Sequence, residues 1–247
     1  MNLLLCEPAE LAGDGSLVLS QGRRLRHINT VLRLEAGDTL RVGLIGGQCG
    51  TATIEAIGPH EARLRVELHT PPPPPLELTL VLALPRPKML RRILRGIAEL
   101  GVKDLHLINS TKVEKSFWQS PLLAQATLRD YLLAGLEQAS DTQLPTVHLH
   151  QRFRPFAEDL LPALCAGREA LLARPAAERG FPAAPGLPGL LAIGPEGGFT
   201  PFEIALLEHA GCEAVTLGPR VLRVETALHC ALGRYLAPPS TPPRQPA

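Results

Sequence analysis

The chain has 247 residues, of which 45% are hydrophobic and 20% charged, with a formal net charge of +1. This length predicts one large or two modest domains around a substantial core. No apolar stretch approaches the ~18 residues that span a bilayer, and the first ten residues lack a signal peptide's basic segment, so we expect a cytoplasmic protein. The five cysteines are scattered and never spaced C-x-x-C, which argues against a zinc site or a disulfide framework.

The first part of the chain, residues 1–70, is predicted to be a small β-barrel domain. Its short alternating segments LRVGLI, TATIEAI and ARLRVEL read as strands. An earlier helix is predicted to place Leu25, Ile28, Val31 and Leu32 on one inward face. Residues 1–116 contain no Phe, Tyr or Trp for base stacking, so RNA would be bound through arginine–phosphate contacts. Five consecutive prolines at 71–75 form a predicted linker.

The pattern changes after the prolines to alternating strands and helices, from residue 76 to residue 237. LELTLVLAL is a near-continuous apolar run, typical of a strand buried on both faces. Further predicted strands are VKDLHLI, TVHLH, EALLA, LLAI and EAVTL, and the predicted helices cover residues 87–100, 122–139, 156–164, 201–209 and 225–236. The alternation predicts an α/β fold with a parallel sheet. The Pro-rich tail, residues 238–247, is predicted to be disordered.

Two glycine-bearing blocks, LAIGPEGGFTPFE and LGPRVLRVETAL, carry the strongest functional signal. In each block an apolar strand ends in Gly-Pro and the chain reopens as a helix. Such strand ends expose backbone groups to ligands in α/β sheets, and glycine permits the sharp turn. We expect both loops to lie at the same edge of neighbouring strands and to form one pocket. Thr200 and Glu203 have the spacing of a helix capping box.

Several other site classes are excluded. The first strand of the α/β part leads into Pro-Arg-Pro-Lys without the glycines of a dinucleotide site, and no P-loop motif is present. His148 and His150 alternate on a strand, but we find no acid or cysteine that completes a metal set, so no metal is expected. Two basic patches, at residues 23–41 and 86–115, favour a polyanionic partner.

These segments together resemble a known family. LALPRPKML…IAELGV, GLEQASDTQLP, AIGPEGGF and LGPRVLRVETA resemble, in this order, the RsmE family of 16S rRNA (uridine-N3)-methyltransferases. RRLRHINTVLRLEAGDTLRV is similar to the family's PUA-like N-terminal barrel. The family belongs to the SPOUT class, whose α/β sheet is tied in a trefoil knot. The resemblance implies S-adenosylmethionine as methyl donor, 16S rRNA of the small ribosomal subunit as substrate, a homodimer, and no metal.

The resemblance also implies roles for individual residues. The expected cofactor-binding residues are Leu84, Ile193, Gly194, Glu196, Gly197, Gly198, Leu217, Gly218 and Leu222. We expect Arg223 to stabilise the charge that forms on the uridine, and Glu225, or else Glu196, to take its proton. The expected rRNA-binding residues are Arg23, Arg24, Arg26, Arg86, Lys88, Arg91 and Arg92. Val224 departs from the family, where many relatives have threonine, so no polar role is expected there.

Two alternatives remain at this point. The chain could be a SPOUT enzyme that modifies another RNA or another atom, such as a ribose hydroxyl, because nothing in the residues alone specifies N3. It could also be a ribosome-assembly factor that binds RNA and has lost the chemistry. The glycines together with Arg223 and Glu225 favour an enzyme, because a binding protein does not need them.

Overall fold

The computed structural model describes residues 2–236, so the predicted disordered tail lies outside the described residues. The chain divides into two compact units, Met1–Pro74 with Leu132–Leu144, and Pro75–Tyr131 with the chain from Pro145 onward. The sequence did not predict that residues 132–144 belong to the first unit. The predicted domain boundaries at residues 70 and 76 stay a prediction. Within the described part, no helix is both long and apolar enough to cross a membrane.

The N-terminal unit is built on a five-stranded sheet with the spatial order β1-β3-β4-β5-β2. The strands are β1 (Leu4–Cys6), β2 (Ser16–Ser20), β3 (Thr39–Leu44), β4 (Cys49–Ile57) and β5 (Glu61–Thr70). β1 and β3 are parallel, and the other pairs are antiparallel. Alternate residues of β4 and β5 are buried and form the core with side chains from the other strands, as the alternating sequence predicts.

One helix lies in this unit, and its inward face differs from the prediction. Helix α1 (Arg23–His27) continues into a π-helical turn at Ile28–Leu32. Leu25 is buried, but Val31 is 63% exposed and Leu32 is 39% exposed, so their predicted inward orientation is wrong. A π-helical turn bonds residue i to residue i+5, which shifts the buried face from the α-helical period used in the prediction.

The second unit contains a six-stranded sheet in which every neighbouring pair of strands is parallel, as predicted. Its spatial order is β11-β9-β10-β6-β7-β8. The strands are β6 (Leu76–Ala83), β7 (Val102–Ile108), β8 (Thr146–His150), β9 (Glu169–Ala173), β10 (Gly189–Ile193) and β11 (Glu213–Val215). The last six residues of β6 are all buried, which accounts for its apolar run.

The remaining helices follow the predicted positions closely. They are α2 (Pro87–Glu99), α3 (Gln125–Ala139), α4 (Phe153–Pro155), α5 (Leu161–Cys165), α6 (Pro201–His209) and α7 (Val224–Tyr235). A π-helical turn at Phe156–Leu160 joins α4 to α5. Gly101 follows α2 with φ +79°, the left-handed conformation expected just after a helix. Helix α3 contains the boundary between the units, after Tyr131.

Candidate active site

A cavity of about 460 Å³ lies at the carboxyl ends of three parallel strands of the second unit. The loops after β10 and β11 both line it, as the two glycine-bearing blocks predict. The expectation that these loops follow neighbouring strands is wrong, because β9 pairs with both and separates them. The segment that leaves β9 therefore forms a third wall. A crevice outside the carboxyl ends of strands is the usual ligand position in such sheets.

The loop after β10 turns tightly around its glycines. Gly198 has φ +67°, and its backbone N–H donates to the Pro195 carbonyl at 2.8 Å, which closes the turn. A Cβ on Gly194 would approach the Phe199 ring to 3.1 Å, and a Cβ on Gly197 would lie 2.8 Å from Lys112 Cδ. The Lys112 ammonium donates to the Gly197 carbonyl at 2.6 Å. The sequence therefore needs small residues here, and a lysine from the loop after β7 supports the turn.

A buried carboxylate holds this loop in place. Glu203 is 2% exposed and forms the predicted capping box with Thr200, whose backbone N–H donates to Glu203 Oε2 at 2.8 Å. The other oxygen, Oε1, accepts from the backbone N–H of Thr111 at 2.7 Å and from its hydroxyl at 3.1 Å. Glu203 thus joins the loop before α6 to the loop after β7. The sequence indicated the cap but not this second contact.

The loop after β11 supplies the opposite wall. Gly218 has φ +122°, which L residues adopt only with strain, and a Cβ there would meet nothing within 4 Å. The Thr216 hydroxyl donates to the Gly218 carbonyl at 3.1 Å and fixes the turn. Leu217 and Leu222 present apolar side chains to the cavity, and Val221 at its rim is 86% exposed.

The third wall is the segment that follows β9, and the sequence analysis did not predict it. Residues 172–176 line the cavity, and the Arg174 N–H donates to the Val215 carbonyl at 2.8 Å. No glycine marks this strand end, so the criterion that identified the other two loops did not apply to it. The Arg-Pro pair that directly follows the apolar EALLA segment was the available signal.

Most of the predicted cofactor-binding residues are brought together. Eight of the nine line the cavity, namely Ile193, Gly194, Glu196, Gly197, Gly198, Leu217, Gly218 and Leu222. Leu84 does not, because it is 1% exposed and its N–H continues the sheet to the Ile108 carbonyl at 2.9 Å. The cavity's volume lies within the range of about 300–1,000 Å³ that is usual for small-molecule sites.

The predicted catalytic residues flank the start of α7, although neither lines the cavity. Arg223 is the exposed N-cap residue and has no carboxylate within 4.0 Å among residues 2–236. Glu225 lies in the first turn, where its Oε1 is 3.5 Å from Arg92 Nη1. Its Oε2 is buried and has no hydrogen-bond partner in the described part of the chain. Glu196 faces Arg86 at 4.0 Å.

The predicted RNA-binding arginines of the N-terminal unit have different surroundings. Arg24 is half-buried and donates to the Leu5 carbonyl and to both carboxylate oxygens of Glu10. Hydrogen bonding from the Arg24 guanidinium lowers the pKa of the Glu10 carboxyl. Arg23 pairs with Glu137 at 2.5 Å. Arg26 is exposed without an ion pair in residues 2–236, so its charge is the most available of the three.

The predicted RNA-binding residues of the second unit all lie on or beside α2. Arg86 is its N-cap residue, and Arg86, Lys88, Arg91 and Arg92 are exposed. Arg86 and Arg92 are the two that pair with Glu196 and Glu225, which connects this basic face to the candidate catalytic acids. The opposite face of α2 is buried, as its amphipathic sequence predicts.

One expectation about metal ligands is wrong. Strand pairing places His106 beside His148, and Asp104 Oδ1 lies 3.4 Å from His148 Nε2. An acid and a further histidine therefore do accompany the histidines of β8. They come from β7, about 40 residues earlier in the chain, so spacing along the sequence did not reveal them.

Comparison with known proteins identifies the family. A model of the RNA methyltransferase domain matches residues 72–235, and a model of the RNA methyltransferase PUA domain matches residues 21–67. Ribosomal RNA small subunit methyltransferase E from Treponema pallidum is 33% identical over 242 residues, which is 96% of this chain and 91% of that protein. The chain belongs to the family of ribosomal RNA small subunit methyltransferase E. The resemblance inferred from the sequence motifs is thereby confirmed.

Other relatives agree with this assignment. The protein of the same name from Synechocystis is 29% identical and covers 87% of this chain and 71% of its own length. A crystal structure of the Neisseria gonorrhoeae enzyme, bound to S-adenosyl methionine, superposes with a TM-score of 0.74 at 23% identity. It covers 94% of this chain and 95% of its own. The predicted α/β fold with an N-terminal PUA domain is confirmed, whereas the knot stays a prediction.

Proposed function

We propose that this RNA methyltransferase transfers a methyl group from S-adenosylmethionine to ring nitrogen N3 of a uridine in 16S rRNA. The observation that carries the proposal is the cavity at three parallel strand ends, walled by the two glycine loops, in a chain of this family. A solved relative carries S-adenosyl methionine. The rRNA substrate would place the activity in the cytoplasm.

The cavity fits the methyl donor in size and chemistry. Ile193, Leu217 and Leu222 provide apolar walls of the kind that holds a purine. At Gly194, Gly197, Gly198 and Gly218 the absence of a Cβ keeps the backbone accessible, so its N–H and C=O groups can pair with the adenine edge. When bound, S-adenosylmethionine supplies a sulfonium methyl group that is open to nucleophilic attack, and no metal is needed for this step.

Arg223 is the residue that we assign to charge stabilisation. Uridine N3 must lose its proton before it can attack, and negative charge then spreads onto the flanking carbonyl oxygens. Arg223 carries an unpaired guanidinium at the N-terminus of α7, within the described residues, where the helix dipole adds partial positive charge. Both effects stabilise the anionic ring, so they lower the barrier to methyl transfer.

Glu225 is the better-placed proton acceptor of the two candidates. Its Oε2 is buried and unpaired within the described chain, while Arg92 faces only Oε1. A buried acceptor without a partner is costly, so a donor such as the uridine N3–H would satisfy it. The Glu196 side chain is 35% exposed, and among the described residues it has no buried oxygen without a hydrogen-bond partner. We therefore assign the proton transfer to Glu225 and ligand orientation to Glu196.

The substrate and the assembly complete the proposal. Arg26, Lys88 and Arg91 are exposed and would contact rRNA phosphates. We also propose a homodimer, supported by exposed apolar side chains near the cavity, Val221 at 86% and Phe202 at 57%. Sedimentation of the wild-type protein and of Val221→Asp tests this state, since a monomeric wild type would contradict it.

Two measurements test the proposed reaction. Calorimetric titration with S-adenosylmethionine should show binding, and unmethylated small ribosomal subunits should gain one methyl group at a uridine N3, located by mass spectrometry of rRNA fragments. Arg223→Ala should lower the methylation rate about 100-fold while cofactor affinity stays within a factor of about three. Methylation of a ribose would contradict the assigned atom, and methylation of another RNA would contradict the assigned substrate. Cofactor binding without transfer would favour a non-catalytic factor.

A further inference from the structure

A second group of chemically active side chains lies on one face of β7 and β8, among residues that the methyl-transfer proposal does not use. Asp104 and His106 alternate on β7, and His148 and His150 alternate on β8. In the parallel register His106 lies directly beside His148. Side chains two residues apart on a strand share a face, so strand pairing collects all four groups into one cluster.

Two of the distances between ligand atoms in this cluster match those of a metal site. Asp104 Oδ1 lies 3.3 Å from His106 Nε2 and 3.4 Å from His148 Nε2, and the three ligand atoms all lie within 4.8 Å of one another. Tetrahedral Zn²⁺ bound at about 2.0–2.1 Å separates its ligand atoms by about 3.3 Å. Small rotations of the half-exposed His148 ring would bring the remaining pair to this spacing.

The groups around these atoms would orient them as metal ligands. The Thr79 hydroxyl donates to Asp104 Oδ2 at 2.8 Å, which leaves Oδ1 directed at the histidines. His106 Nδ1 lies 2.9 Å from His150 Nε2. If His106 carries its proton on Nδ1 and donates it to His150, its own Nε2 is free to bind a metal. Metal-binding histidines commonly donate their other ring N–H in this way. Phe156 packs against both His106 and His150 and restricts their rings.

The site also has an entry path. His106 is 4% exposed, whereas the His148 side chain is 43% exposed and belongs to β8, which ends the sheet. A cation could therefore reach the buried imidazole from the β8 side. Three protein ligands leave one position for water or an external ligand, as in zinc sites that are not closed.

We propose that Asp104, His106 and His148 bind one divalent transition-metal ion of the Zn²⁺ class, with His150 as the positioning residue for His106. This site is separate from the cavity and independent of the proposed methyl transfer. Two imidazole nitrogens and one carboxylate oxygen suit Zn²⁺, or Co²⁺ as its spectroscopic substitute, better than Mg²⁺, which prefers oxygen ligands alone.

The test uses untagged, chelator-treated full-length protein. Zn²⁺ is titrated in competition with a chromogenic chelator, and Co²⁺ is added separately to record the visible absorption of tetrahedral Co²⁺. We expect one equivalent per chain, and His148→Ala should weaken binding at least about 100-fold, since it removes a ligand. Because His148 is half-exposed, this variant should fold, and circular dichroism checks that it does.

His209→Ala is the matched control, because His209 is exposed on α6 and far from the cluster in sequence. It should bind Zn²⁺ as the wild type does. Equal affinity of wild type and His148→Ala, or a stoichiometry near zero, would overturn the metal site, and the carboxylate would then simply accept hydrogen bonds from the two histidines. Cofactor titration is measured in parallel, so failure of the metal site is distinguishable from failure of the proposed reaction.

Discussion

Replacing Glu203 with glutamine tests whether one buried carboxylate holds the cavity loops together. The carboxylate accepts hydrogen bonds from the backbone N–H groups of Thr111 and Thr200, at 2.7 and 2.8 Å, and from both hydroxyls. Glutamine has the same shape, but one of its ends is an NH₂ group that cannot accept. One of the two backbone N–H groups therefore loses its acceptor in a site that is 2% exposed.

The expected loss of stability follows from the one buried donor that is left without an acceptor. An unsatisfied buried donor costs about 1–3 kcal/mol, and a threonine hydroxyl that turns to accept from the new amide offsets part of it. We expect Glu203→Gln to lower the free energy of unfolding of the second unit by about 2 kcal/mol, which is about 30-fold in the folded-to-unfolded ratio. Affinity for S-adenosylmethionine should fall as well, because the loop after β10 loses either its cap at Thr200 or its anchor to Thr111.

The single tryptophan provides the assay. Trp118 donates its indole N–H to Asn109 Oδ1 at 3.0 Å, so its fluorescence reports on the second unit next to the loop that Glu203 anchors. Urea unfolding followed by this emission gives the stability, and calorimetry gives the affinity. Glu208→Gln removes the same charge from an exposed position of α6 and is the control. If both variants unfold at the same urea concentration, the carboxylate does not hold the loops.

Four further outcomes are expected. Gly218→Ala should weaken cofactor binding about tenfold, because alanine at φ +122° carries about 1–3 kcal/mol of strain. Gly233→Ala, inside α7 with nothing within 4 Å of its Cβ, should bind normally in the same calorimetric titration. Arg26→Glu should weaken binding to small ribosomal subunits and reduce the salt slope by about 1, as filter binding at several salt concentrations would show. Arg24→Glu should mainly destabilise the N-terminal unit, since it removes the partner of Glu10; a thermal midpoint equal to that of the wild type would contradict this. The pKa of Glu10 is lowered in the folded state, so the pair stabilises the protein above the unfolded pKa, about 4.3, and this stability is lost as pH falls through the folded pKa. Glu10→Gln should therefore be less stable than the wild type at pH 7, and urea unfolding by circular dichroism should show the difference shrinking below about pH 4.

Local patterns predicted the elements of the second unit well, because each depends on neighbours along the chain. The run of apolar residues in β6 reflects burial on both faces, and it could be read without knowing the partners. The capping box of Thr200 and Glu203 and the glycine after α2 depend on groups within a few residues, so those helix ends were placed correctly. The π-helical turn after α1 was missed because a segment of five residues is too short to display the longer period of i to i+5 bonding.

Spatial order was the information that local patterns lacked. The glycine loops were predicted to follow adjacent strands, but β9 lies between β10 and β11. Similarly, Asp104 meets His148 only because β7 pairs with β8, and parallel pairing requires a long connection between the two strands. The same limit applies to Leu84, which follows a strand end as the glycines do, yet points into the core.

The position of β9 changes how the cavity should respond to mutation. Had the glycine loops followed neighbouring strands, each could have adjusted against the other when a ligand entered. Because β9 pairs with both β10 and β11, and the Arg174 N–H is bonded to the Val215 carbonyl, the base of each loop is fixed to a common central strand. Conformational freedom is then restricted to the turns themselves, at Gly198 and Gly218, which are the two cavity glycines with positive φ. Substitutions at these two positions should therefore affect ligand affinity more than sheet stability, whereas substitutions in β9 should affect both.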